Sequence, residues 1–153
     1  MISAWRIVPE QRATTAFDGE GARLYGGRWN SSGKAVVYCA GSHALAALEV
    51  LVHLTSASRT IRYALIEICM DDRLIDQVDI AQHTAALNSP MIDPRTQRAG
   101  DEWIEHRRTP ALRVASALIA EEPNYLINPY HPDFNQLEIR TARTFAFDPR
   151  LTH

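Results

Sequence analysis

The sequence predicts an α+β fold. Strand-like runs outnumber helical ones along the 153 residues, and they do not alternate with helices as a doubly wound parallel sheet requires. No internal repeat, low-complexity segment or Gly/Ser linker divides the chain, so one domain spanning residues 1–153 is expected. Residues 2–8 form the first expected strand. Residues 9–34 have neither helical nor strand period for most of their length, and read as a long loop. A loop of that size is usually either functional or disordered. Phe17, Tyr25, Gly26, Gly27 and Trp29 argue against disorder. Residues 35–40 (AVVYCA) read as a buried strand, after which Gly41 and Ser42 supply a turn and an N-cap for a helix over residues 43–54. A strand over 60–68 follows, then helices over 81–87 and 98–108, then strands over 112–119, 125–128 and 144–147. Prolines at positions 90, 94, 110, 123, 129 and 132 punctuate this second half into short elements.

Composition excludes several classes. With 46% hydrophobic and 22% charged residues the chain is an ordinary globular domain, long enough to bury roughly 70% of its unfolded surface without a metal or disulfide. The net charge of -2, from 16 basic and 18 acidic residues, gives no general drive towards DNA or an anionic membrane. Cys39 and Cys69 fit no zinc or CxxC spacing and read as core thiols in a reducing compartment. The start, MISAWRIVPEQR, lacks the n- and h-regions of a signal peptide, and no apolar run approaches the ~18 residues of a membrane span. A cytoplasmic protein is expected.

Four positions carry unusual chemistry. In the helix SHALAALEVLVHL, residues Leu45, Leu48, Glu49 and Val52 follow the i, i+3, i+4, i+7 rule, which places a carboxylate on the core-facing stripe. An ionised carboxylate out of water must be paired, neutralised or open into a cleft. A structural salt bridge and an edge position on the helix are the bland alternatives. In the loop GGRWN, Gly26 and Gly27 permit close backbone approach, and Arg28 can grip a phosphate or carboxylate bidentately. A turn with the arginine stacked on Trp29 fits equally well. The stretch GEGARLYGG breaks GxGxxG spacing, so it is no dinucleotide fingerprint. Tyr38 shares a strand face with Val36 and Ala40, usually a core position, but its strand runs straight into the helix that bears Glu49. Ser116 sits in the row Leu112, Val114, Ser116, Leu118, where a buried hydroxyl needs a hydrogen-bond partner that the backbone can also supply.

Other signals are weaker. The six histidines, at 43, 53, 83, 106, 131 and 153, have no paired metal spacing, so no metal site is expected. There is no GxSxG elbow. His53 lies four residues after Glu49, within hydrogen-bonding reach on a helix. The run NPYHPDF, from Asn128 to Phe134, reads as a turn at the rim of a pocket or as purely structural.

Taken together, GARLYGGRWNSSGKAVVYCA, ALAALEVLVHL, ASALIAEEPNYLINPYHPDF and RTFAFDPRL resemble the RES domain, a family named for arginine, glutamate and serine that includes toxins of bacterial RES-Xre toxin-antitoxin pairs. The resemblance runs from Trp5 to Leu151. It implies a fold related to the ADP-ribosyltransferases, with a split, twisted sheet and flanking helices around an NAD cleft, and attack on NAD by degradation or by ADP-ribosylation of a protein. By the same resemblance Arg28, Tyr38, Glu49 and Ser116 are the catalytic positions, and Gly26, Gly27, Arg28, Tyr38 and Asn128 bind substrate. The family commonly carries Pro-Ser where this chain has Ala115-Ser116.

These implications are chemically coherent. Cleaving nicotinamide from ribose passes through an oxocarbenium-like transition state, and the cationic leaving group departs neutral without protonation, so one carboxylate suffices. Glu49 would stabilise that charge, Arg28 would hold pyrophosphate or ribose, Tyr38 would orient the nicotinamide end, and Ser116 and Asn128 would add polar contacts. Water, phosphate or a protein nucleophile would capture the ribosyl cation. The resemblance implies an Xre-type antitoxin with a helix-turn-helix region as partner, which would contact DNA in place of this chain, in an assembly that can include a homodimer. A non-catalytic NAD-binding or interaction module is the alternative outside enzymology.

Overall fold

A computed structural model describes residues 1–55 and 61–152. Its centre is one mixed sheet of eight strands, curled into a half-barrel. The strands are β1 (Ile2–Pro9), β2 (Val37–Ala40), β3 (Tyr63–Met70), β4 (Ile75–Gln77), β5 (Ala111–Ala115), β6 (Pro123–Ile127), β7 (Glu138–Ile139) and β8 (Arg143–Phe145). Their order is β4-β5-β6-β2-β1-β3-β7, with β8 also on β3, and only the β4–β5 pair is parallel. The helices are α1 (Glu20–Tyr25), α2 (His43–Leu51), α3 (Thr84–Leu87) and α4 (Pro94–His106). The predicted α+β class is the observed one.

Strand register decides which side chains meet. Tyr38 lies opposite Leu126 and Ala40 opposite Asn124, while Leu126 and Asn124 lie opposite Leu112 and Val114. Side chains alternate along a strand, so Val36, Tyr38, Ala40, Asn124, Leu126, Leu112 and Val114 share one face. Two packed layers cover it. Over β1, β2 and β3, the α2 residues Leu45 and Ala46 pack with Ile7, Ala40, Tyr63 and Leu65. Over β5 and β6, Trp103 of α4 and Leu87 of α3 pack with Trp29, Val36, Leu112, Val114 and Leu126. The opposite face buries Ala4, Val37, Cys39, Ile68, Met70, Tyr125 and Ile127. Burial there pushes the Cys39 thiol up to about 12, so this cysteine is an inert core thiol, as expected.

Several element boundaries differ from expectation. The stretch 9–34 is not one loop: a 3-10 helix over Glu10–Thr15 and the six-residue α1 lie within it, both too short to show a hydrophobic period. Strand β2 starts at Val37, two residues later than predicted. The helix expected over 98–108 begins at Pro94, because Asp93 caps it by accepting from the Arg95 amide at 2.8 Å and proline is well suited to a first helical turn. The helix expected over 81–87 is a 3-10 turn, Ile80–His83, leading into the single turn of α3. The strand expected over 112–119 stops at Ala115, where the Ser116 hydroxyl accepts from the amides of Leu118 (3.1 Å) and Ile119 (3.2 Å) and turns the chain. Strand β6 starts two residues before the predicted 125, and the strand predicted over 144–147 is Arg143–Phe145. Strands β4 and β7, of three and two residues, were not anticipated. The strand predicted from Thr60 begins at Tyr63 among the described residues, Thr60 lying outside them. No helix among the described residues is long and apolar enough to cross a membrane.

Candidate active site

Tyr38 organises the arginine-bearing loop. Its hydroxyl accepts from the Trp29 amide at 3.0 Å and donates to Asn30 Oδ1 at 2.7 Å. Asn30 is fully buried and donates through Nδ2 to the carbonyls of Ala22 (2.9 Å), Ser31 (3.2 Å) and Lys34 (3.1 Å). Burial raises the Tyr38 pKa, so the phenol remains a donor at neutral pH. Gly27 is obligatory for this arrangement: a Cβ there would lie 2.7 Å from the Tyr38 hydroxyl and 2.9 Å from Asn30 Oδ1. Its amide donates to the Asn30 carbonyl at 2.9 Å, and the Gly26 amide donates to Ala22. Both glycine amides are therefore spent inside the loop.

Arg28 is half-buried. Its Nη1 makes long contacts to the carbonyls of Ser89 (3.3 Å) and Met91 (3.4 Å), and no carboxylate among the described residues pairs with it. Helix α4 fixes its backbone, Thr96 donating to the Arg28 carbonyl at 2.6 Å and Gln97 Nε2 to the carbonyls of Gly27 and Asn30 at 3.1 Å. Trp29 is buried and meets His83 edge-on at 5.6 Å, and GGRWN forms a turn closed by a Gly27–Asn30 bridge, the turn that the alternative reading expected. Removing the Tyr38 hydroxyl orphans the Trp29 amide and Asn30 Oδ1 together. Tyr38→Phe is expected to lower stability by about 2–4 kcal/mol, read from urea denaturation.

Glu49 lies at the seam between the two packed layers. Of the stripe expected to face the core, Leu45 is fully buried but Leu48 and Val52 are 41% and 56% exposed. Packing of α2 on β1 and β2 through Leu45 and Ala46 rotates those two positions outward. At about 100° per residue, Glu49 projects between Leu45 and Ala46, one turn further along. There it meets polar groups. Glu49 Oε1 accepts from Ser116 Oγ at 3.0 Å and from Asn124 Nδ2 at 2.8 Å, and Oε2 takes no hydrogen bond among the described residues. Ser116 is fully buried. No lysine, arginine or histidine among the described residues pairs with Glu49, so the expected alternative of a structural salt bridge does not hold there. His53 is exposed and makes no hydrogen bond to Glu49.

The structure thus brings Glu49 and Ser116 together, and sets Tyr38 on the same face about 7 Å along β2 from the Ala40–Asn124 pair. Arg28 reaches that face through Tyr38 and touches Glu49 nowhere. Asn128 is not part of this group. It follows the far end of β6 from Asn124, its Oδ1 accepts from the Tyr130 amide at 3.0 Å, and it lines a separate concavity with Arg23, Lys34, Glu105, Arg107 and Tyr130. Within NPYHPDF, His131 is buried, with Nε2 2.9 Å from the Arg107 carbonyl and Nδ1 accepting from the Asp133 amide. Asn124 is the residue that sequence reasoning missed. Its signal was an asparagine inside an otherwise apolar strand, where asparagine is depleted. Among the described residues no three histidine, cysteine or acidic side chains cluster as metal ligands, and His153 lies outside them.

A mixed sheet with two helical layers on one face, and a carboxylate held at their seam, defines an α+β protein with a candidate acidic site. The chain belongs to the RES domain family, whose model matches residues 3–148. It is 38% identical to the Prs ADP-ribosylating toxin of Sphingobium sp. (strain YBL2) over 157 residues, covering 97% of this chain and 96% of that protein. A protein named Toxin Res from Photorhabdus laumondii is 36% identical over 149 residues, covering 96% and 95%. Among solved structures, a chain of the M. tuberculosis MbcT-MbcA toxin-antitoxin complex has the same fold, with a TM-score of 0.74 at 21% identity, covering 95% of this chain and 84% of that one.

Proposed function

We propose that this chain is the toxin of a toxin-antitoxin pair and that it breaks the nicotinamide–ribose bond of NAD. The observation that carries this is the Glu49 carboxylate, held through one oxygen by two neutral donors and opposed by no cation among the described residues. Its full negative charge is then available to a cation developing beside it. In the proposed step the C1′–N bond breaks and its electron pair passes to the pyridinium nitrogen, so nicotinamide leaves neutral. A nucleophile then forms the new bond to C1′ and, if it is water, gives its proton to solvent. Glu49 steadies the oxocarbenium charge and the ribose hydroxyls, Arg28 holds the pyrophosphate, and the Tyr38 ring borders the nicotinamide end. Ser116 acts through Glu49.

Hydrolysis or phosphorolysis, with loss of cellular NAD, is the first reading of the acceptor. Transfer of ADP-ribose to a protein is the second, and the relative named as an ADP-ribosylating toxin favours it. Incubating purified protein with NAD decides between them. Free ADP-ribose marks hydrolysis, its 1″-phosphate in phosphate buffer marks phosphorolysis, and nicotinamide release that requires added cell protein marks transfer. No nicotinamide release in any arm overturns the proposal. Arg28→Ala is expected to raise the KM for NAD tenfold or more with a smaller effect on kcat, about 1.4 kcal/mol of binding per tenfold, checked by initial rates. The proposal treats residues 1–153 as one cytoplasmic catalytic domain that leaves DNA contact to an Xre-type antitoxin. Family membership, and the likeness of fold to a chain of a toxin-antitoxin complex, support an antitoxin partner in this reading.

A further inference from the structure

Asn124 hydrogen-bonds the Glu49 carboxylate, yet the residues that the RES resemblance singles out do not include it. Its Nδ2 is 2.8 Å from Glu49 Oε1, the shorter of the two hydrogen bonds that oxygen accepts. The amide orientation follows from chemistry, since only the NH₂ group can donate to a carboxylate. Oδ1 is consequently turned away from Glu49, and it is buried without a hydrogen-bond partner among the described residues. Register places Asn124 opposite Ala40 of β2 and Val114 of β5, inside the sheet rather than on a loop, so its backbone cannot drift. Ser116 is less free to act alone, because its hydroxyl also closes the turn by accepting from Leu118 and Ile119.

We infer that Asn124 is a positioning residue for the reaction, holding the Glu49 carboxylate by Oε1 so that Oε2 faces substrate. This rests on the reading of Glu49 given above. Donors to a single oxygen fix the rotation of the carboxylate, and a misplacement of about 1 Å at a reacting centre costs on the order of 100-fold in rate. A residue that only anchored α2 to β6 would affect how much protein folds, not the turnover of the folded fraction.

Two variants of the full chain separate these cases. Asn124→Ala removes the donor and is expected to lower kcat for NAD by about 10- to 100-fold, with KM changed less than threefold. Asn124→Asp is nearly isosteric and replaces the donor by a second carboxyl, which can donate to Glu49 only while the pair retains one proton. Its pH–rate profile is expected to gain a descending limb on the alkaline side that wild type lacks. A profile of unchanged shape in Asn124→Asp, or an unchanged kcat in folded Asn124→Ala, overturns the inference. Failure of the underlying reading looks different: the wild-type protein itself releases no nicotinamide. In that event a double-mutant cycle of Glu49→Ala and Asn124→Ala in urea denaturation still tests the contact, additive effects being the result that removes Asn124 from its assigned role.

Discussion

Glu49→Gln is expected to leave the protein folded and to lower NAD turnover by on the order of a thousandfold, the size of effect that one electrostatic contact to a transition state can have. The glutamine keeps an oxygen that can accept from Ser116 and Asn124, so the links from α2 to the β5–β6 turn and to β6 survive. What is lost is the charge, and with it the difference between a charge-assisted and a neutral hydrogen bond at each donor. Stability should fall by no more than about 2 kcal/mol. Urea denaturation and nicotinamide release measured on the same preparation check both parts. A folded Glu49→Gln protein that consumes NAD at the wild-type rate would remove the carboxylate from the mechanism.

Gly100→Ala is expected to destabilise the protein by about 3 kcal/mol or more. Helix propensity argues the opposite, because alanine exceeds glycine by about 1 kcal/mol inside a helix. The tertiary contact wins. A Cβ on Gly100 would overlap the Trp29 carbonyl oxygen and lie 2.8 Å from its carbon, and these are backbone atoms that no rotamer change can clear. Either α4 moves off the sheet or the loop carrying Arg28 is displaced, and overpacking of this kind costs ~1–3 kcal/mol or more even where side chains can adjust. Arg28 adjoins Trp29, so the variant should also raise the KM for NAD. A urea midpoint above that of wild type would show that α4 and the loop are not in such contact.

Much of the candidate site was legible because chemistry out of place is visible in one dimension. A carboxylate at a core-side helical position, a tyrosine on the strand feeding that helix, and a hydroxyl in an apolar row each violate a local pattern, and Glu49, Tyr38 and Ser116 carry those violations. The roles were harder to read than the positions. Sequence reasoning assigned Tyr38 to the substrate, while the structure commits its hydroxyl to Trp29 and Asn30, a use that depends on a reverse turn of GGRWN that no periodicity encodes. Gly26 and Gly27 show the same thing, their amides being consumed within that turn. Asn124 and Asn128 differ by one strand length, and choosing between them needs the register of β6 against β2, which is set by pairing across more than eighty residues. The short α1, β4 and β7 leave no periodic trace and are held by their neighbours rather than by propensity.

Glu49 is secured by partners 67 and 75 positions later in the chain. During synthesis the helix bearing the carboxylate is made well before either of them, so the early two-fifths of the protein contains the Glu49 side chain without the partners that orient it. Long-range closure of the sheet must come first. An oriented carboxylate therefore begins with the finished fold and not with a nascent fragment. Under the proposed function, this ordering confines the hazard to complete molecules, the form in which a restraining partner has a whole surface to recognise.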